Sequence, residues 1–229
     1  MNDAKQISER GTIIPVLALL FATGVGVVVT ALRAQWSGNI RYLVLVWNLF
    51  LAWLPLLFAL AVYQRHQRGE RRGWRLGVLA ALWLLFLPNA PYIFTDLMHL
   101  NSWFAGHYWV DLSLVLMMAL TGFMLGFISL YLMQTVVAQR WGQAAGWGLI
   151  VVATGLSGFG IYIGRILRWN SWDVVVHPVK FSGSIGHWAM HPLVNPGTTF
   201  AFPLLFGTFL FLGYVMLYAL THLQPAQRV

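Results

Sequence analysis

Three short stretches of this sequence carry the residue types that acid–base, metal or anion chemistry needs. The first runs Pro88-Asn89-Ala90-Pro91-Tyr92-Ile93-Phe94-Thr95-Asp96-Leu97-Met98-His99. Asp96 and His99 are three apart, so on a helix they share a face. The second is His107-Tyr108-Trp109-Val110-Asp111, where a four-residue step puts His107 and Asp111 on one side. A neutral histidine donating to an aspartate is a common support for a metal or a general base. An aspartate in a first helical turn equally suits the positive end of the helix dipole. The third stretch, Gly164 to Gly197, opens with Arg165 and Arg168, whose guanidinium forks pair with carboxylate or phosphate. Trp169 and Asp173 follow Arg165 at four-residue steps, with Asn170 between them. The two arginines therefore grip an anionic headgroup or pair internally with Asp96, Asp111 or Asp173.

Farther along, His187 and His191 stand four apart, the spacing that lets two imidazoles meet one zinc on a helix. Trp188 occupies the place where the zincin pattern needs glutamate, which excludes that metalloprotease class. Pro192 limits any helix here to one short turn. These patterns make Asp96, His99 and Asp173 candidate catalytic residues. Arg165, Arg168, Asn89, Trp169 and Asn170 are candidate substrate-binding residues. His187, His191, Asp96 and His99 are candidate ligands of a divalent metal such as zinc. The structural alternatives at the same residues are a kinked helix with a surface turn, internal ion pairs and interfacial histidines without a ligand.

The elements that must position these residues are set by composition. Hydrophobic residues make up 59% of the 229, and charged residues only 9%. A soluble domain carries roughly 25% charged residues to cover its core, so an ordinary soluble enzyme, a disordered tail and a fibrous protein are excluded. Six segments have the roughly 20 apolar residues that a membrane-spanning helix needs, at about 12–32, 42–63, 76–94, 109–133, 147–166 and 200–220. Strand alternation is missing, which argues against an outer-membrane barrel. The expected fold is all-α: a polytopic membrane helix bundle of six transmembrane helices, forming a single integral membrane domain over residues 1–229. Its third span is broken at Pro88–Pro91, and a long outer loop joins spans five and six. Pro88 lacks an N–H and clashes with the turn before it; Pro91 suits the first position of a new helix. Such a break at membrane depth frees backbone groups that often bind something.

With six spans, the termini and the 2–3 and 4–5 loops share one side and hold nine basic residues, against five on the other. The positive-inside rule then puts the N- and C-termini in the cytoplasm. The first span reads as an uncleaved anchor, because Arg33 stands where a small-residue cleavage site is expected. The net charge of +8 is nearly all arginine and is read as topology-setting loop charge rather than a nucleic-acid surface. Cysteine is absent, so no disulfide, thiolate nucleophile or Cys-ligated metal is available. Asp96, Asp111, Asp173 and five of the seven histidines fall on the predicted outer side. Ionisable groups near a membrane core are expensive unless paired, so their clustering marks a site. Small residues recur every four positions at Ala18, Ala22 and Gly26, at Gly122 and Gly126, and at Gly160 and Gly164, a pattern that lets helices approach closely.

Leu87-Pro88-Asn89-Ala90-Pro91-Tyr92, followed by Thr95-Asp96-Leu97 and His99-Leu100, resembles the signature of a bacterial membrane family, domain of unknown function 1361. Gly164-Arg165 and the Arg168-Trp169-Asn170-Ser171-Trp172-Asp173 run resemble it too. The likeness extends from about the second span to the last. It implies a multi-pass protein of the bacterial cytoplasmic (inner) membrane and adds no catalytic residue. Three function classes follow. One is an outer-face enzyme, metal-dependent or not, acting on a lipid-linked or anionic substrate. The second is a non-catalytic scaffold or subunit of a membrane complex. The third is a small-solute transporter, opposed by the lack of charged residues in mid-span. The expected partners are the lipid bilayer, lipid headgroups or other membrane proteins.

Overall fold

The computed structural model describes residues 2–69, 73–100, 107–190 and 197–222, excluding the side chains of 2–13, 99, 175, 187–190 and 198. The described residues are helical, with no strand among them. In chain order they form α1 (Asn2–Ser37), α2 (Leu43–Gln67), α3 (Gly73–Phe86), α4 (Asn89–Tyr92), α5 (Tyr108–Trp141), α6 (Gln143–Arg165), α7 (Asp173–Val176), α8 (Pro178–Met190) and α9 (Phe202–Thr221). Six helical stretches are long and apolar enough to cross a membrane: Ile14–Ser37, Ile40–Gln67, Gly73–Met98, Tyr108–Trp141, Gln143–Arg165 and Thr199–Thr221. They match the six expected spans. Large apolar side chains stand exposed along them, Phe21, Phe50 and Leu204 among others, as lipid-facing residues do. Trp36, Trp74, Trp109 and Trp141 are exposed near helix ends, where amphipathic indoles sit at a membrane interface.

The third span is interrupted as Pro88 predicts. α3 ends at Phe86, α4 begins at Asn89, and a 3₁₀ segment over Ile93–His99 completes the stretch. Pro91 lies inside α4 rather than opening it, so the new helix starts two residues earlier than the proline alone suggests. The segment between spans five and six is more ordered than a loop. It contains α7 and the 13-residue α8, so His187 belongs to a helix longer than the single turn expected before Pro192.

The described residues group into two compact units, Met1–Trp53 with Asn89–Gly126, and Leu54–Pro88 with Phe127–Val229. In the first unit, small residues of α5 accept the residues after the helix break. A Cβ at Gly122 would collide with the carbonyl oxygen of Ala90, and one at Gly126 would lie 3.1 Å from the Ala90 Cβ. Gly26 of α1 meets α5, where an added Cβ would stand 2.7 Å from the Met118 sulfur. In the second unit a Cβ at Gly160 would strike the Pro88 ring, and Gly158 and Gly207 bring α6 and α9 together. Gly26, Gly122, Gly126 and Gly160 are thus spent on packing, whereas Ala18 of the first small-residue row is exposed. Gly142, at φ 92, turns the chain between α5 and α6 in a conformation that residues with a Cβ rarely adopt.

Replacing Gly122 by alanine is expected to lower stability by about 1–3 kcal/mol, the usual penalty of overpacking a close contact. Gly77→Ala, where an added Cβ meets nothing within 4 Å, should leave stability equal or raised. Thermal unfolding of both variants in one detergent checks the contrast.

Candidate functional site

The two buried aspartates of the first unit have different surroundings. Asp111 opens α5 and is fully buried. Arg33, near the end of α1, donates from Nε to Asp111 Oδ1 at 2.7 Å and from Nη2 to Oδ2 at 3.0 Å. The Tyr42 hydroxyl donates to the same Oδ1 at 2.8 Å. The guanidinium also lies 5.1 Å from the ring centres of both Trp36 and Tyr42. A bidentate fork, a third donor and two aromatic faces satisfy a charge pair that water cannot reach. His107, the partner that four-residue spacing suggests for Asp111, instead packs its ring against Trp36 at 4.6 Å.

Asp96 sits on the 3₁₀ segment after the break and is 5% exposed. Its Oδ2 accepts from the Asn48 side-chain amide of α2 at 2.9 Å. The Thr95 hydroxyl beside it donates to the Tyr92 carbonyl at 2.6 Å, returning a partner to backbone that the broken helix leaves free. Asn89 opens α4 and is half-buried. The backbone of His99 ends the 3₁₀ segment; its side chain is outside the described set.

The second unit carries the arginine stretch. Arg165 lies half-buried in the last turn of α6. Beyond it, the Trp169 N–H reaches back to the Ile163 carbonyl at 3.2 Å, and Arg168 takes the left-handed conformation at φ 58. This is the place where a helix usually ends on glycine. Arg168 is exposed, and Trp169 packs edge-on against Phe181 of α8 at 5.9 Å. Asp173 accepts the Asn170 backbone N–H at 2.7 Å and the Asn170 side-chain amide at 3.2 Å, both on Oδ2. His177 Nδ1 stands 3.6 Å from its other oxygen. The Asn170 N–H, first among these, holds the Asp173 carboxyl below the usual carboxylate range. Asp173 therefore shapes the turn that leads into α7.

Among the described residues no three His, Asp or Glu side chains come together as a metal would need. His191 and the side chains of His99 and His187 lie outside that set.

A family model described as Protein of unknown function (DUF1361) matches residues 47–215. The chain belongs to this family. The DUF1361 match takes in Asn48, Asp96, Asp111, Arg165, Arg168 and Asp173, whereas Arg33 and Tyr42 precede it. No curated protein and no solved structure matches the chain. The Arg33–Asp111–Tyr42 cluster is the feature that sequence reasoning missed in this DUF1361 chain. Its signal was one basic and one acidic residue near the same-side ends of spans one and four, each too costly to bury alone.

Removing one partner of the buried pair, by Arg33→Met or Asp111→Leu, is expected to cost about 3–5 kcal/mol, because it strands the other charge. The double variant should recover most of that loss, and a thermal-melt double-mutant cycle measures it.

At Asp173 the sign follows from a lowered folded-state pKa. The stabilisation of the turn is complete above the ordinary carboxylate pKa of about 3.9 and is lost as the pH falls through the lower folded value. The Asn170 amide resonance should therefore hold steady from neutral pH down to about pH 4 and shift only below it. In Asp173→Asn that acid-range shift should vanish.

Proposed function

We propose that this DUF1361 protein works at the extracytoplasmic face of a bacterial cytoplasmic membrane, as an enzyme that binds an anionic, lipid-linked substrate through Arg168 and Arg165. The observation that carries the reading is the backbone at Arg168. Among the described residues four have positive φ, and three of them, Gly38, Gly69 and Gly142, are glycines. The fourth is an exposed arginine held in a conformation that costs a side-chain-bearing residue roughly 1 kcal/mol. A chain that needed only the turn would do better with glycine there, so the guanidinium is what the position keeps.

Charge supports the same reading. Between residues 165 and 180 stand Arg165, Arg168 and Lys180 against Asp173 alone. The carboxylate of Asp173 is already engaged with Asn170. This excess favours phosphate or carboxylate, and Arg is suited to both. Trp169 and Asn170 flank the grip.

In this proposal Asp96 is the proton-transfer group, because a buried carboxylate beside a broken span is the kind of residue that chemistry near a membrane uses. Its partner in that role is His99, while Asp173 holds the turn. A divalent metal, for which the four-residue spacing of His187 and His191 is suited, would supply Lewis-acid activation. The second reading, a non-catalytic scaffold, draws on the Arg33–Asp111–Tyr42 cluster, whose bonds are complete without any ligand.

Arg168→Gly separates the two readings. It relaxes the backbone, so the melting temperature should hold or rise. Binding of a polyprenyl phosphate in nanodiscs should weaken roughly 10- to 100-fold, the loss of one charge-assisted contact. Unchanged affinity in Arg168→Gly would refute the anion grip. Elemental analysis of the purified protein decides the metal: less than one equivalent removes it from the scheme.

A further inference from the structure

The second unit holds a cavity of about 270 Å³ at the end of the unit that carries the α5–α6 connection. It lies outside the arginine stretch, which follows the other end of α6. Tyr131, Gln134, Thr135 and Gln139 line it from α5, Gln143 from the start of α6, and Tyr218 with His222 from the end of α9. None of the lining residues is Asp, Glu, Lys or Arg.

One of the lining residues is chemically incomplete. Gln134 is 3% exposed. Its Oε1 accepts the hydroxyl of Tyr214, and its Nε2 has no hydrogen-bond partner. A buried amide N–H₂ left without an acceptor is expensive, so such groups normally meet a partner. The walls are aromatic. Tyr131 and Tyr218 have ring centres 6.1 Å apart, and Trp147 stands edge-on to Tyr218 at 5.0 Å. At the rim the His222 ring stacks on Tyr218 at 4.2 Å. Its Nδ1 lies 2.9 Å from the Tyr218 carbonyl, which as an acceptor calls for a proton on Nδ1 and turns Nε2 away from that bond.

A buried donor, flat aromatic walls, no fixed charge and room for about one ring describe a site for a planar, uncharged ring with a carbonyl acceptor. We propose that this cavity binds the head of a membrane quinone. Occupancy turns the Gln134 side chain so that its covered Nε2 donates to one ring carbonyl, and the ring lies among Tyr131 and Tyr218. The apolar tail leaves toward lipid, where α5 and α9 expose Trp141, Met216 and Leu220. The chemistry is recognition only; no electron transfer is implied.

The test uses the full-length protein in detergent and a short-chain benzoquinone, with binding followed by equilibrium dialysis. The matching alkylbenzene, which lacks the carbonyls, is the control ligand. Wild type should bind the quinone saturably and prefer it over the alkylbenzene roughly tenfold or more, the value of one buried hydrogen bond. Gln134→Leu, which removes the donor, should weaken quinone binding by a similar factor. Because that change also takes a partner from Tyr214, Thr135→Leu is tested beside it. It narrows the cavity without touching the amide and should abolish binding while the melting temperature stays near wild type. Non-saturable uptake by wild type, equal affinity for the two ligands, or unchanged quinone affinity in a folded Thr135→Leu would each overturn the proposal. Arg168→Gly should leave quinone binding unchanged, so this site and the anion grip fail or stand separately.

Discussion

A helix interrupted inside a bilayer leaves backbone groups that neither water nor the helix itself can satisfy, so the interruption survives only if protein surrounds it. Here the interruption falls between Phe86 and Asn89, and glycines receive it. Within the first unit Gly122 and Gly126 of α5 lie against Ala90, and within the second Gly160 of α6 lies against the Pro88 ring. At Gly122 and Gly160 an added methyl group would collide outright, and at Gly126 its neighbour would have to give way. Once the break is held this way, the residues that follow are fixed as well. The 3₁₀ segment over Ile93–His99 brings the buried Asp96 to the Asn48 amide, which gives its carboxyl a hydrogen-bond partner. The placement of Asp96 thus follows the break, and the break rests on residues with almost no side chain.

The buried Arg33–Asp111 pair is a different kind of constraint. Taking two charges out of water costs several kcal/mol per ion, and the pair recovers it only with good geometry and further hydrogen bonds. Both conditions hold: the fork is bidentate, Tyr42 supplies a third donor, and Trp36 and Tyr42 flank the cation. Such a cluster ties the end of α1, the 3₁₀ turn Ile40–Tyr42 that leads into α2, and the start of α5 into one arrangement. A packed apolar cluster of equal volume would hold them as firmly, so the pair is better understood as fixing which helix ends meet than as adding net stability.

The spans were legible in the sequence because hydropathy over about 20 residues is a sum that no single contact can overturn. Pro88 announced the break for the same reason: a missing N–H has the same consequence in any surroundings. The partners of Asp111 were not legible. Four-residue spacing pointed to His107, but which groups face one another depends on the rotation of α1, α2 and α5, set by packing far from the residues concerned. α8 was missed because Gly183, Gly186 and two serines weaken its local helix preference. The candidate site was half readable: sequence picked out Asp96, Arg165, Arg168 and Asp173, but not that Asp173 is taken up by Asn170 and His177.

That division has a physical pattern. In a chain with 9% charged residues, most polar groups at membrane depth are closed by a neighbour or by their own helix. Thr30, Thr121, Thr154 and Ser157 donate to carbonyls three or four residues back, and the Trp83 indole finds the Ser129 hydroxyl. Such closures are what a solvent without hydrogen bonds demands, and they say little about function. Two groups of the second unit depart from the pattern. The Gln134 amide nitrogen is buried without a partner, and Arg168 spends backbone strain on an exposed cation. They lie near opposite ends of α6, whose 23 residues extend about 35 Å, close to the thickness of the hydrocarbon core. One is a neutral donor within an aromatic cavity and the other a charge facing outward, so a single ligand cannot answer both. The ligands proposed for the two groups therefore differ as the groups do, a neutral acceptor for one and an anion for the other.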